Sequence, residues 1–540
     1  MNSSLNKLLL IIILILGLSI RLIFFVGIYN GDDSLFYVNV GYRSIQNIRN
    51  NEPMYNPCED YSSLRFMFYL PITFSFMLFG ISNYSAALFP LLTSLGSIVL
   101  IFYICKIIFD EKVGLIASFL LSIFPYDVIF STSIMPDIPL AFFMSFSVFF
   151  FLKAETSNKK RTKLFYFLSG IMIGISVWIK VLGIVLFFFY LIYLMYKKKI
   201  NRDYTLIFLG FLIPLFLEGV YFYYIKSDFL FRYNVMNLDL GIESAEFVAP
   251  FSSLSKTLFC YYPKLMLNLD DVCFTEGTWF VRPFVKMGYV YFFVFIAILY
   301  LLTFRIKKSF FPIIWFLSLF IYLQIGPTNP INLLYGMYTG ILKHHRALNI
   351  LTTPALIILA FFLNKIHRFE SIVICIFLML SSLYLINYMH FNFIWGTYSN
   401  DWRDFRIGDI KSIHDFLSQL QERSEKNITD HLLKSSQSDN NSKNMNKDIY
   451  VMDAAIDFLD FYFGFKGNIK NLDSIKNPQE IHDAYVVLNL SYESSIEGEY
   501  RSSLPEFRRN PPENWKLVKI IPEKNNNYDR EFNPIIYYAP

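Results

Sequence analysis

The sequence is poor in charged residues: Asp, Glu, Lys and Arg make up only 17% of its 540 positions. Hydrophobic side chains make up 54%, with 59 Phe and 37 Tyr among them. Helices of this composition cannot be kept in water, so a bilayer must be the solvent for most of the chain. The net charge of +5 is not gathered into a basic domain. Nucleic-acid binding therefore has no support in the sequence.

Cysteine is also scarce. The five cysteines lack the paired spacing, such as CxxC, that is typical of metal sites. A disulfide between Cys260 and Cys273 is the pairing we consider. No cofactor is predicted with certainty, although an acidic pair elsewhere could hold a divalent metal.

Long apolar runs are abundant, and we interpret about eleven of them as membrane-spanning helices. A hydrocarbon core of about 30 Å needs roughly 20 apolar residues per helix. The first run, Leu8 to Ile28, exceeds the core of a signal peptide and lacks a cleavage site, so we expect it to be retained. The predicted spans are 8–28, 84–105, 113–130, 138–153, 164–180, 181–196, 204–225, 286–304, 310–326, 347–363 and 370–389.

Lysine and arginine in the short loops set the direction of these spans, because such residues favour the cytoplasmic side. Basic residues recur in the loops that become cytoplasmic when the N-terminus is placed inside. Residues after 390 are then outside. The pattern holds only if the apolar segment Leu64 to Phe79 does not cross. It is short and contains Pro71, so we predict a helix lying along the outer interface.

The sequence thus predicts an all-α polytopic membrane domain, residues 1–389, with outer loops at 29–83 and 226–285. Residues 390–540 are predicted to form an extracytoplasmic α/β or α+β domain. We expect an integral, multi-pass protein of a prokaryotic cell membrane, in contact with membrane lipids. Sequons at Asn427, Asn440 and Asn489 suit an external location for this domain. Its strand candidates are Ile449–Met452, Ala484–Leu488, Trp515–Ile521 and Pro534–Tyr538.

Several ionisable residues are predicted to meet at the outer face. Asp32 and Asp33 follow the first span, Asp137 separates the third and fourth, and Lys180 lies at an outer turn. A channel or transporter usually places such groups within its helices near the midplane. Acidic loops beside cations suit an enzyme whose donor is a lipid with an anionic phosphate, and whose carboxylate takes a proton from an acceptor hydroxyl. The simpler interpretation of each aspartate is a helix cap.

Two charged residues lie within predicted spans. Arg21 is near the outer end of the first helix, where it could hold a donor phosphate or only extend toward the interface. Glu218 is in the seventh span, where an ionised carboxylate costs about 3 kcal/mol or more. We therefore expect Glu218 to face other helices or a wet cavity, with a hydrogen-bonded packing role as the simpler interpretation.

Several motifs in this order resemble lipid-dependent glycosyltransferases of the C superfamily, notably protein O-mannosyltransferases and aminoarabinose transferases. The run GDDSLFYVNVGYRSI at 31–45 resembles their DE-x-x-Y opening, and residues 79–83 resemble their lfG turn. Residues 135–143 resemble their second acidic loop. Trp178-Ile179-Lys180 resembles their ltKg turn, with Val181 in place of glycine, and residues 344–349 resemble the start of a late helix.

The resemblance implies an inverting transfer of a sugar from a polyprenyl (dolichyl or undecaprenyl) phosphate to a protein, lipid or glycan acceptor. Alignment on Tyr37 favours Asp33 as the base, whereas alignment on Phe36 favours Asp32. Asp137 is the further catalytic candidate. The donor-phosphate candidates are Arg21, Lys180 and Arg346, and Tyr37 and Glu218 are candidates for acceptor binding or structure.

Two alternatives stay open at this point. A transporter or flippase of a lipid-linked glycan is disfavoured because no internal repeat is recognisable. An oligosaccharyltransferase of the same superfamily is disfavoured because the terminal domain lacks a WWD-type motif.

Overall fold

A computed structural model describes residues 3–28, 32–54, 64–157, 159–198, 202–235, 289–326 and 345–395. Shorter described stretches are 262–263, 266–267, 417–418, 449–451, 469–472, 475, 480–488, 512, 514–520 and 535–539. Cys260, Cys273 and the three sequons lie outside the described residues, as does most of the predicted loop 226–285.

Helices dominate the first 395 residues. The helices are α1 (Ser3–Ile23), α2 (Asp32–Arg49), α3 (Phe66–Phe79), α4 (Asn83–Ile108), α5 (Glu111–Ser122), α6 (Pro125–Phe130), α7 (Asp137–Thr156), α8 (Lys159–Ile179), α9 (Leu186–Lys197), α10 (Thr205–Lys226), α11 (Val290–Thr303), α12 (Phe310–Ile325), α13 (Asn349–Lys365) and α14 (Arg368–Trp395). A 3₁₀ turn, Val181–Val185, leads into α9, and another, His345–Leu348, leads into α13.

Within the described residues, eight helices are long and apolar enough to cross a membrane. Three shorter apolar helices are Phe66–Phe79, Val181–Lys197 and Val290–Thr303. Each predicted span contains a helix, and the predicted interfacial segment is the helix Phe66–Phe79. The prediction of an integral, multi-pass membrane protein is confirmed.

The predicted span 113–130 differs from the structure, because it is broken into α5 and α6. Pro125 begins α6, and the residue before it, Phe124, is extended with ψ 120°. Proline removes a backbone donor and disfavours the helical conformation of its predecessor. A proline at the first position of a new helix is well tolerated, so the chain turns here instead of continuing.

Helix α13 is the centre of the bundle and packs against α5, α7, α11 and α12. Its residues 349–363 are buried on every side, as expected for a helix enclosed by other helices. Helix α8 packs along both α7 and α10. A Cβ atom at Gly170 would lie 1.9 Å from the Ile207 carbonyl oxygen, and one at Gly210 would lie 2.1 Å from that of Phe167. Glycine at these positions permits α8 and α10 to approach at backbone distance.

The last described residues form a five-stranded mixed sheet of order β2-β1-β3-β5-β4. The strands are β1 (Ile449–Val451), β2 (Ile469–Asn471), β3 (Ala484–Leu488), β4 (Lys516–Ile520) and β5 (Ile535–Ala539). Strand β1 pairs in parallel with β2 and β3, while β5 pairs antiparallel with β3 and β4. The four predicted strands are confirmed. Strand β2 was not predicted, because its sequence Ile-Lys-Asn lacks the apolar alternation of a half-buried strand.

The chain divides into two compact units. One comprises Met1–Gly27, Tyr37–Gly80 and Tyr84–His390, and the other comprises Ile28–Phe36, Ile81–Asn83 and Phe391–Pro540. The apolar core of the second unit lies on the sheet, where Val486 and Leu488 of β3 pack with Trp515. The predicted boundary at 389/390 and the external location of the terminal domain stay predictions.

Candidate active site

Asp137 and Lys180 form an ion pair at the ends of two neighbouring helices. Asp137 is the first residue of α7, and Lys180 directly follows α8. The Lys180 Nζ atom lies 2.8 Å from Asp137 Oδ1, and the Asp137 side chain is only 2% exposed. Asp137 Oδ2 is also buried and has no hydrogen-bond partner among the described residues. The carboxylate therefore has an oxygen that can accept a hydrogen bond from a bound molecule.

Lys180 is presented by a break in helical structure. Its backbone is extended (φ −160°, ψ 131°), and the 3₁₀ turn Val181–Val185 begins directly after it. A Cβ atom at Gly183 would lie 2.2 Å from Ser176 Oγ, so this turn folds back closely onto α8. The close approach occurs at Gly183, two residues after Val181.

Arg346 and Arg65 complete the surroundings of this pair. Arg346 donates to Met135 Sδ at 3.1 Å, just before Asp137. Both arginines are close enough to Asp137 and Lys180 to act on them electrostatically. Burial lowers the pKa of Lys180, Asp137 opposes this effect, and the two guanidinium groups reinforce it. Three cationic side chains thus act on one buried carboxylate.

All four groups lie at ends of apolar helices. Asp137 starts one candidate membrane span, Lys180 directly follows another, and Arg346 starts a third. Arg65 immediately precedes α3. Charged residues at helix ends avoid the cost of the hydrocarbon core. The cationic cluster, defined as Arg65, Lys180 and Arg346 around Asp137, therefore lies at the ends of apolar helices and outside their apolar stretches.

Tyr37 is buried beside the cluster. Its ring centre is 5.3 Å from Arg65 Cζ, a cation–π distance. The ring also packs edge-to-face on Phe68 at 5.0 Å. Tyr37 thus packs against both Arg65 and Phe68, and its predicted role in acceptor binding or structure stays a prediction.

Asp32 and Asp33 are the first two residues of α2. Acidic residues in a first helical turn are stabilised by the helix dipole. Their side chains lie outside the described residues. The choice between them as the catalytic base therefore stays a prediction.

Arg21 occupies a different environment from the cationic cluster. It is fully buried, and its Nη2 atom lies 2.5 Å from Asp127 Oδ1 of α6. Its Nε donates to Ser94 Oγ at 2.8 Å, and Nη1 donates to the carbonyls of Gly17 and Ser122. These bonds tie α1 to α4, α5 and α6. The geometry is that of a structural ion pair, and it does not support the predicted contact with a donor phosphate.

Glu218 is likewise paired. Arg232 donates through Nε to Glu218 Oε2 at 2.8 Å and through Nη2 to Glu218 Oε1 at 2.5 Å. Such a fork matches the geometry of a carboxylate. Glu218 thus faces the protein, as expected, and its charge is balanced by a residue that the sequence did not single out.

The residues present do not favour a divalent metal at Asp137, because three cations already surround its carboxylate. No group of three His, Cys, Asp or Glu side chains within the described ranges could hold a metal ion. A metal at Asp32 and Asp33 stays a prediction.

Sequence reasoning missed Arg65 as a site residue and Arg232 as a partner. Arg65 is the only charged residue in the run Leu64 to Phe79, and it adjoins the helix that we predicted to lie at the interface. A single charged residue beside an apolar helix was the signal that could have identified Arg65. Arg232 had none, because it follows Lys226 and Asp228 in a segment that we predicted to be a loop outside the spans.

Residues 65–221 match a family model described as dolichyl-phosphate-mannose-protein mannosyltransferase. The matched segment includes Arg65, Asp137 and Lys180, and ends before Arg346. Among curated proteins, no sequence matches this chain.

Solved structures with the same fold include ArnT from Cupriavidus metallidurans. Its apo form has a TM-score of 0.57 at 10% identity, covering 99% of this chain and 98% of ArnT. The form bound to undecaprenyl phosphate has a TM-score of 0.58 at 11% identity, covering 99% and 97%. The oligosaccharyltransferase of Archaeoglobus fulgidus, tethered to an acceptor peptide, has a TM-score of 0.53 at 14% identity, covering 91% and 70%.

At these identities the likeness establishes the fold. The chain thus shares the polytopic membrane fold of ArnT and of the oligosaccharyltransferase, and its residues 65–221 resemble the mannosyltransferase family model. The resemblance predicted from the sequence motifs is confirmed.

Proposed function

We propose that this protein is a membrane glycosyltransferase that moves a sugar from a polyprenyl phosphate to an acceptor at the outer membrane face. The observation that carries the proposal is the cationic cluster, in which Lys180, Arg65 and Arg346 converge on the buried Asp137. Such a cluster suits an anionic phosphate, since arginine and lysine are the common partners of phosphate.

The proposed donor is a polyprenyl-phosphate-linked sugar. Its phosphate would lie against Lys180, Arg65 and Arg346, while its chain remains among lipids. The match to a mannosyltransferase family model and the fold shared with ArnT, solved bound to undecaprenyl phosphate, support this class of donor. The identity of the sugar is not part of the proposal.

In the proposed reaction, an acceptor hydroxyl attacks the anomeric carbon of the sugar. A new carbon–oxygen bond forms as the bond to phosphate oxygen breaks, and the bonding electrons leave with the phosphate. Asp33 takes the hydroxyl proton, and the configuration at carbon is inverted. The cationic cluster stabilises the charge that develops on the leaving phosphate. Asp137 holds Lys180 in place and uses Oδ2 to accept a hydrogen bond from a substrate hydroxyl.

We also propose that the protein lies in a prokaryotic cell membrane, with its terminal domain outside. The distribution of loop Lys and Arg supports this orientation. The acceptor, whether protein, lipid or glycan, would approach from that side.

A second candidate is oligosaccharide transfer, which the shared fold with the Archaeoglobus fulgidus enzyme favours. A transporter is less well supported. Of the described charged groups, those of the cluster lie at helix ends, and Arg21 and Glu218, which lie inside spans, are paired.

The test gives the purified protein a panel of radiolabelled polyprenyl-phosphate monosaccharides and oligosaccharides. Consumption of a monosaccharide donor is expected. Consumption of oligosaccharide donors alone would favour the second candidate. No consumption of any donor, with movement of a lipid-linked glycan across vesicles, would favour a transporter.

A further inference from the structure

The segment Leu64-Arg65-Phe66 joins the cationic cluster to the base of α3. Leu64 and its carbonyl are buried, and this carbonyl precedes the helix, so no bond of the α3 ladder satisfies it. Arg232 Nη2 supplies that bond at 2.5 Å. On the other side of Arg65, the Phe66 ring packs against Trp178 at 5.8 Å and Tyr221 at 5.7 Å. The contacts of Leu64 and Phe66 therefore fix the backbone of Arg65 on both sides.

Arg232 reaches this carbonyl because the chain reverses after α10. Ser227 has φ 55° and ends the helix, and the following residues return along it. Gly219 makes room for this return, since a Cβ atom there would lie 2.6 Å from Phe229 Cζ. Phe231 then packs on Phe222 at 5.3 Å.

Glu218 fixes the direction in which the Arg232 guanidinium points. Both side chains are largely buried, with exposures of 6% for Glu218 and 13% for Arg232. Arg232 donates to Glu218 through both Nε and Nη2. Its Nη2 atom also donates to the Leu64 carbonyl. The pair consists of one carboxylate and one guanidinium, so the formal charges of its two members cancel.

We propose that Glu218 and Arg232 form a positioning clip, which sets the place of Arg65 in the donor-phosphate site. The inference rests on the proposed function. In this scheme neither residue touches the donor. Loss of the clip weakens phosphate binding only because Arg65 is displaced.

The experiment measures the affinity of the purified full-length protein for undecaprenyl phosphate. Glu218→Gln and Arg232→Lys are each made in the native background and in the Arg65→Ala background. Arg232→Lys keeps the charge of the buried pair, so it preserves folding while removing the fork. Glu155→Gln serves as the matched control, because its carboxylate pairs with Lys197 away from the cluster.

Each clip variant is expected to weaken binding about tenfold in the native background and less than about twofold once Arg65 is absent. Glu155→Gln is expected to leave affinity unchanged. Equal losses in both backgrounds, or no loss in the native background, would overturn the clip. If the native protein does not bind undecaprenyl phosphate, or binds it equally well without Arg65 and Lys180, the proposed function itself fails and the clip fails with it.

Discussion

At the scale of single residues, charge balance separates structural pairs from the candidate binding site. Arg21 with Asp127, and Glu218 with Arg232, are each balanced one to one. Asp137 instead faces three cations. Breaking a balanced buried pair leaves an uncompensated charge, whereas removing one cation from the cluster relieves repulsion. The two kinds of site therefore respond differently to substitution.

Lys180→Met is expected to leave thermal stability without lipid unchanged or slightly higher, because Arg65 and Arg346 still balance Asp137. The stabilisation by added undecaprenyl phosphate should fall, since ligand stabilisation follows affinity. Thermal unfolding with and without the lipid measures both quantities. A fully retained lipid-dependent shift would contradict the role of Lys180.

Arg21→Met is expected to have the opposite signature. It should lower the free energy of unfolding by about 3–5 kcal/mol, because Asp127 would remain buried without its partner. The lipid-dependent shift of the protein that still folds should be retained. If the Arg21→Met protein is stable but no longer binds the lipid, Arg21 belongs to the donor site after all.

Asp33→Asn keeps the size of the side chain but removes its ability to accept a proton. Turnover should fall by about 100-fold or more while donor binding is retained. Asp32→Asn should cost much less. Turnover and donor affinity are measured on variants with native unfolding temperatures. If Asp32→Asn is inactive and Asp33→Asn retains turnover, alignment on Phe36 is correct.

At the scale of elements, the approach of α8 to α10 brings the donor-site and clip residues together. Lys180 follows α8, and Glu218 belongs to α10. Glycines at the contact let the two backbones meet, with Gly174 against Pro214 and Gly170 against the Ile207 carbonyl. Small residues at such contacts are common in membranes, where lipid provides no hydrophobic drive for helix association.

Gly170→Ala should therefore destabilise the protein by about 1–3 kcal/mol, because backbone cannot move aside as a side chain can. Gly96→Ala is the matched control, since the three atoms nearest to its Cβ would all belong to the Phe142 ring, a side chain. Unfolding temperatures in one detergent compare the two. Equal stability of both variants would show that α8 and α10 separate without cost.

At the scale of the whole molecule, the topology determines which face the acceptor reaches. Cysteines introduced near Asn83 and Asn400 are expected to react with an impermeant reagent added outside intact cells. Cysteines near Lys160 and Lys198 should not react, because the basic loops are placed inside. Labelling near Lys160 from outside would overturn the proposed orientation.

Much of the fold could be predicted from local sequence. The apolar length of each span, Pro71 in the interfacial segment and the alternation in four strands are properties of neighbouring residues. The two elements that we predicted incorrectly also have local causes. Hydropathy alone predicts one span over 113–130, but Pro125 divides it into two helices. Strand β2 was missed because its sequence is too polar.

The chain by itself determined which residues are charged within or beside apolar helices, and therefore which positions require a partner. It did not determine the partners. Arg21 is separated from Asp127 by 106 residues, and Lys180 from Asp137 by 43. Hydropathy and spacing describe one helix at a time, whereas an ion pair depends on which helices pack and at what depth. Only the tertiary structure could assign Arg21 to helix packing and bring Arg65 close to Asp137 and Lys180.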